Sequence, residues 1–277
     1  KSKISKSTFA RPSPHPTNMR IPAVAESLTA AQVLTRVGNA PTATIVGFGS
    51  LLSPVSAAHT CPGVANFRLA RCRNWRRVFG HPAAVFFERG IARPETKEIS
   101  SLSAEPVEDN SGFVVATFDV PTGELPALLE REEEYNFVEI PFYPLVSDAG
   151  AAGDGDGDGE EIGRGWMCTR STDEEVLDVR GHRAKYSGFL APHFGDKVSI
   201  WDEWGTDSGI LPCPVYLRHC LLASRRDDVL KEATNSFVNE TYLADRETTL
   251  SDYLKTEKGK AVMDTRPPPA LEGRYSG

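Results

Sequence analysis

"TATIVGFGSLL" (residues 42–52) is the stretch on which the fold turns. Its first half, Ala43 to Val46, is small or β-branched and uncharged, the composition of a buried strand. Gly47 and Gly49 then break the run, so the strand ends in a sharp turn whose successive N–H groups can face an anion or an oxyanion. Three familiar glycine motifs do not fit. G-x-G-x-x-G requires glycine where Leu52 stands, and a P-loop requires Gly-Lys-Ser/Thr. A nucleophile elbow requires G-x-S-x-G, whereas Ser50 directly follows Gly49. What remains is a strand leading into a turn rich in backbone donors.

Working outward, residues 64–80, "SGFVVATF" (111–118), "NFVEIPFYPLV" (136–146) and "GRGWMCTR" (163–170) read as further strands. Residues 24–38 have the spacing of a short amphipathic helix. "ELPALLEREEEY" (124–135) is helical, its Pro126 tolerated in the first turn, and the stretch from residue 213 reads as one strand or helix followed by C-terminal helices. There is no regular βαβ alternation, so the fold class is α+β. One domain is expected over 39–255, preceded by a basic arm and short helix (1–38) and followed by an extended tail (256–277). Residues 148–161, "DAGAAGDGDGDGEE", read as an acidic low-complexity loop between two strands. With Asp154, Asp156 and Asp158 as calcium-loop positions 1, 3 and 5, the final position falls on Gly165, where an EF-hand needs glutamate.

The chain of 277 residues carries a net charge of -7, the opposite of what phosphate-backbone binding favours. No apolar run reaches the roughly 18 residues of a membrane span. Its five cysteines include no C-x-x-C pair, which argues against a disulfide framework or a zinc site. His182, His193 and Asp196 lack metal-ligand spacing and read as loop polar residues. His219 and Cys220 are neighbours on a helix and point about 100° apart, so they do not form a thiol–imidazole pair. Arg68, Arg71, Arg73, Arg76 and Arg77 fall on both faces of a strand and read as ion-paired barrel positions rather than a nucleic-acid patch. The acid-free, Pro- and Ser-rich residues 1–22 have the character of a disordered arm or the end of an organelle transit peptide. The expected compartment is reducing: cytoplasmic, or an organelle stroma or matrix (plastid included) if the arm is such a remnant.

Residues 130–134 hold four acids. At about 100° per residue from Leu125, Leu128 falls near 300°, Leu129 near 40° and Glu132 near 340°, within the leucine stripe. Glu133 sits at its edge near 80°, while Glu130 and Glu134 point about 140° and 180° away. A carboxylate on an apolar face must be paired, protonated or functional. The competing geometry is a helix that ends near residue 130 and leaves Glu132 a surface acid.

Turn and glutamate together resemble the gamma-glutamyl cyclotransferase-like family, and most closely its glutathione-directed (ChaC-type) variant. "VGFGSLL" is similar to that family's strand and Tyr/Phe-Gly-Ser-Asn/Leu turn. "LLEREEEYNFVEI" (128–140) looks like the family's glutamate segment, with Arg131-Glu132 matching its Arg-Glu. "RNWRRVF" (73–79), "ERGIARP" (88–94) and "PVYLRHCL" (214–221) resemble its later segments. Phe48 stands where tyrosine is commoner, and the Glu-to-Tyr spacing is one residue short, which also admits Glu133 as the matching acid. The leucine stripe prefers Glu132.

The resemblance implies a small, mostly closed mixed β-barrel flanked by helices. It implies conversion of a gamma-glutamyl compound to 5-oxoproline, with Glu132 as general acid/base. Gly47, Phe48, Gly49, Ser50, Leu51, Leu52 and Tyr216 would line the substrate. No cofactor or metal is implied, because the substrate supplies its own nucleophile. The partner is then a small gamma-glutamyl molecule, not nucleic acid or membrane. The alternative is a catalytically silent family member that docks into a larger assembly through its N-terminal arm and C-terminal tail.

Overall fold

The structure, a computed structural model, describes residues 26–145, 159–195, 198–225 and 231–277. The basic arm, most of the acidic loop and Asp196 lie outside the described residues. The first helix is α1 (Ala30–Val37), shorter than the 24–38 expected. Its start is fixed by a capping box in which Thr29 Oγ1 accepts from the Gln32 N–H while Gln32 Oε1 accepts from the Thr29 N–H at 2.8 Å. Leu28, just before it, exchanges two backbone hydrogen bonds of 2.8 Å with Phe137. The helix is therefore sewn onto the main body.

β1 (Thr42–Gly47) runs into a 3-10 turn at Ser50–Leu52 and α2 (Pro54–Thr60). β2 (Ala65–Arg73), β3 (Trp75–Pro82), α3 (Ala84–Glu88), β4 (Glu98–Pro106) and β5 (Gly112–Pro121) follow. Next come α4 (Leu125–Arg131), β6 (Asn136–Phe142), β7 (Gly163–Thr169), α5 (Arg183–Phe194), β8 (Leu211–Pro212) and α6 (Pro214–Ala223). The C-terminal part holds α7 (Lys231–Asn239), β9 (Thr241–Tyr242), α8 (Leu250–Tyr253) and α9 (Glu257–Lys260).

Among the described residues the strands form two sheets, in the orders β2-β5-β1-β7-β6 and β8-β4-β3-β9. β1 lies centrally in the first, antiparallel to β5 and parallel to β7, which is why its second half, Ile45 to Gly47, is buried throughout. That sheet curls until its ends meet: Arg71 on β2 and Tyr143 just past β6 exchange two backbone hydrogen bonds of 2.9 Å. The expected α+β fold, a mixed barrel-like sheet flanked by helices, is what the chain forms, with the sheet curled as a half-barrel. The second sheet leans against it through an Arg170 N–H to Ala104 carbonyl bond of 3.0 Å. The chain changes sheets at Asn74, whose φ of 64° is left-handed and suits asparagine.

The strand β4, "EISSLSAEP", was not foreseen. Ser100, Ser101 and Ser103 are all buried, so its polar sequence hides a central strand. The tail is not extended. α9, 3-10 turns at Ala261–Asp264 and Pro269–Arg274, and the buried Val262 and Tyr275 fold it back onto the body. No helix among the described residues is long and apolar enough to cross a membrane.

The barrel arginines only partly meet the expectation of ion pairing. Arg71 pairs with Glu240 at 2.6 Å and Arg76 with Glu105 at 3.5 Å. Arg68 and Arg73 lie over the rings of Phe142 and Tyr143. Arg77 is wholly buried and, among the described residues, has no carboxylate at ion-pair distance; it bonds backbone and a hydroxyl instead.

Candidate functional site

At the end of β1 a cavity of about 520 Å3 opens, walled by the glycine turn, the end of α4, α6 and the C-terminal segment. Phe48, Gly49, Ser50 and Leu51 line it. Gly47 closes β1 and Leu52 is fully buried beneath the turn; these two are not among the lining residues. Each glycine permits a close approach. A Cβ on Gly47 would sit 2.5 Å from Leu51 Cβ, and one on Gly49 would sit 2.9 Å from the Tyr216 hydroxyl. As the first residues of a 3-10 turn, Gly49 to Leu51 have N–H groups without partners inside that turn. The Ser50 main chain and the Tyr216 hydroxyl both bond the Cys220 sulfur, whose thiol burial pushes up to about 12. From below, Arg77 Nη1 donates to the Phe48 carbonyl at 2.8 Å and clamps the turn.

α4 ends at Arg131, and Glu132 is its C-cap residue, its N–H bonded to the Leu129 carbonyl at 3.2 Å. The helical projection holds that far: Leu128, Arg131 and Glu132 all line the cavity. Arg131 donates to Glu132 Oε1 from Nε and Nη2, at 3.1 and 2.9 Å, and from Nη1 to Thr60 Oγ1 at 2.8 Å. Burial works against the charge on Arg131, but the charge and hydrogen bonds of Glu132 outweigh it, and the guanidinium lies above its ordinary value. Among the described residues no donor engages Glu132 Oε2. The carboxylate's charge reaches into the apolar wall: the phenol of Tyr216 and the thiol of Cys168 are pushed well up, first by burial, and Glu132 adds to both.

Beyond Glu132 the helical projection fails, because residues 132–135 are a turn into β6. Glu133 faces the outer side, bonded to Lys185 at 2.5 Å and near His182 at 3.6 Å. Glu134, projected outward, is instead buried and lines the cavity. It accepts from the Tyr186 hydroxyl, and its Oε1 faces His81 Nε2 at 3.3 Å. His81 is stacked on Trp201 with centroids 4.1 Å apart. No helical or strand period marks Glu134, since a turn has neither.

Tyr216 lies on the first turn of α6 and reaches the cavity between Phe79 and Phe86, its ring 6.3 and 5.1 Å from theirs. His219 and Cys220 do not pair with each other: Cys220 turns to Tyr216, and His219 Nδ1 accepts from the Gly277 N–H at 2.9 Å. His182 caps α5, His193 sits in its last turn, and Gly165 lies inside β7.

Burial first, and then the nearby charges of Arg274, Arg218, Arg131 and His59, push the His219 imidazole down to about 4. An unfolded chain protonates an ordinary histidine near pH 6.5, so between there and pH 4 only the unfolded state binds this proton. Stability is therefore full above about 6.5 and falls as pH drops through that window, by at most about 3 kcal/mol. Thermal melts of wild type and His219→Asn between pH 7 and 4.5 should converge on the acid side; a constant gap would refute this.

No family model matches the sequence, and no curated protein is similar to it. Solved structures do resemble the fold. A human protein described as uncharacterized is 16% identical, with 47% of this chain and 68% of that chain covered and a TM-score of 0.34. A gamma-glutamyl cyclotransferase is 13% identical, covering 58% and 94%, with a TM-score of 0.35. A yeast gamma-glutamyl cyclotransferase specific to glutathione is 12% identical, covering 70% and 96%, with a TM-score of 0.38.

Proposed function

We propose that the chain is a gamma-glutamyl cyclotransferase. The observation that carries this reading is a convergence: the turn after β1, the carboxylate at the end of α4 and Tyr216 on α6 meet at one cavity. These are the three segments whose motifs resemble that family. The substrate's α-ammonium gives a proton to Glu132, and the resulting amine attacks the γ-carbonyl. A C–N bond forms, the carbonyl oxygen takes the negative charge, and the Gly49 and Leu51 N–H groups of the turn face it. The ring nitrogen then gives up its second proton to solvent, the oxyanion re-forms the carbonyl, and the C–N bond to the leaving group breaks as Glu132 returns its proton to that nitrogen. The products are 5-oxoproline and a free amine or amino acid, with no water consumed.

Arg131 is a positioning residue here. By holding Oε1 it fixes the carboxylate and leaves Oε2 for the ammonium. Ring closure gains most from such placement, because the reaction is intramolecular and depends on a folded substrate. Incubation with glutathione, γ-glutamyl-alanine and γ-glutamyl-lysine, read by mass spectrometry for 5-oxoproline, tests the reading. Absence of product from all three sinks it.

Gly49→Ala probes the turn. Its Cβ cannot coexist with the Tyr216 hydroxyl at 2.9 Å, so one of them moves. A displacement of this size costs about tenfold to a hundredfold in kcat/KM while the fold survives. Unchanged kinetics would remove the turn and Tyr216 from the site.

A further inference from the structure

The cavity's outer end carries cations that the proton chemistry does not use. Arg89, just past α3, and Arg274, in the C-terminal segment, both line it. The segment is anchored just past Arg274. Tyr275 is buried in an apolar cluster with Phe86, Ile91 and Val215, and its hydroxyl accepts from Arg89 Nη1 at 2.7 Å. Two residues on, the Gly277 N–H donates to His219.

Arg71, Arg76, Arg131, Arg170 and Arg246 each have a carboxylate at ion-pair distance. Among the described residues neither Arg89 nor Arg274 has one. Their charges instead bear on each other: burial, and then the like charges of Arg131 and Arg89, push the Arg274 guanidinium down. In a chain of net charge -7, gathering unneutralised cations at a cavity mouth is an arrangement that an anionic ligand completes. Of the acids lining the cavity, Glu132 is taken by Arg131, and Glu134 by Tyr186 and His81.

The geometry points to a carboxylate subsite formed by Arg89 and Arg274. The substrates are then γ-glutamyl amino acids or peptides that keep a free carboxylate on the leaving side, rather than γ-glutamylamines. This rests on the γ-glutamyl reading above and deepens it. The substrate's ammonium lies at Glu132, its γ-carbonyl at the glycine turn, and its distal carboxylate between the two guanidinium groups, whose planar forks suit that shape. The C-terminal segment is in this way part of the site.

N-glutaryl-alanine lacks the α-amine and cannot cyclise, so its binding reads the subsite apart from turnover. Calorimetry on the full chain should show it binding about ten- to a hundredfold more tightly than N-glutaryl-alaninamide, which lacks the distal carboxylate. Arg274→Ala should shrink that ratio to about threefold or less and leave the amide's Kd unchanged. Arg89→Gln provides a second variant. Equal binding of the two ligands by wild type, no binding of either, or a ratio that survives both substitutions would overturn the subsite. Production of 5-oxoproline from γ-glutamyl-alanine, measured alongside, reports on the cyclotransferase reading by itself. Turnover with equal Kd values removes only the subsite, and a tenfold ratio without turnover keeps the subsite and removes cyclotransfer.

Discussion

Replacing Glu132 by glutamine should lower 5-oxoproline formation by about 10²–10⁴-fold, the usual worth of a positioned acid–base group. Glutamine keeps the acceptor for Arg131 but cannot take a proton from the substrate's ammonium or return one to the leaving nitrogen. The melting temperature should scarcely move, because the side chain sits at a cavity wall and retains its partner. Glu133→Gln is the informative companion. Glu133 is held by Lys185 and His182 away from the cavity, so its loss should change the rate by less than about threefold, as for surface groups generally. If the two variants exchanged effects, the register that aligns Glu133 with the family's glutamate would be the right one. Rate assays with a folding control on each variant decide between them.

Arg77→Met should cost about 3–5 kcal/mol, because it strands buried acceptors that each cost about 1–3 kcal/mol when left without a donor. Arg77 is 0% exposed and spans three elements. Its Nε donates to Thr241 Oγ1 at 2.7 Å, and Nη1 donates to the carbonyls of Phe48 at 2.8 Å and Val114 at 3.4 Å. Its guanidinium carbon lies 4.8 Å from the ring centroids of both Phe113 and Phe237. Burial lowers it to about 10, so it is still a cation at neutral pH, and the rings and the charge of Glu240 offset its desolvation. Methionine fills the volume but leaves those oxygens without a donor. A loss of this size is a large share of the roughly 5–15 kcal/mol that holds a domain together. Urea denaturation measures it, and a change under about 1 kcal/mol would show that Arg77 is not the clamp beneath the turn. Arg77→Lys should recover only part of the loss, since one ammonium cannot serve both Phe48 and Thr241.

The barrel and the mouth of its site were legible where a single period governs the chain. "TATIVG" reads as a central strand because its second half, Ile45 to Gly47, is buried on both faces, and the leucine stripe of α4 carries Glu132 to the cavity wall through the C-cap. Three features were not legible, each for a physical reason. β4 hides its role behind Ser100, Ser101 and Ser103, which are buried though serine is mostly a surface residue. Glu134 follows the end of α4, where the helical angle no longer applies, and only the partners His81 and Tyr186, distant in sequence, mark its burial. The C-terminal segment, with "RPPPALEGRYSG", has the composition of an extended end, yet Tyr275 finds an apolar niche against Phe86 and Val215 and carries Arg274 to the cavity. Arg89 was visible only as part of a segment resembling the family. Local composition reports what a segment can do alone and not what another element offers it.

The central claim is that the substrate's own amine, not water, attacks the γ-carbonyl, and labelled water tests it most directly. Wild-type chain incubated with γ-glutamyl-alanine in water enriched in oxygen-18 should release alanine and an equal amount of 5-oxoproline carrying no heavy oxygen. Release of glutamate bearing one heavy oxygen would make the chain a hydrolase and contradict the account.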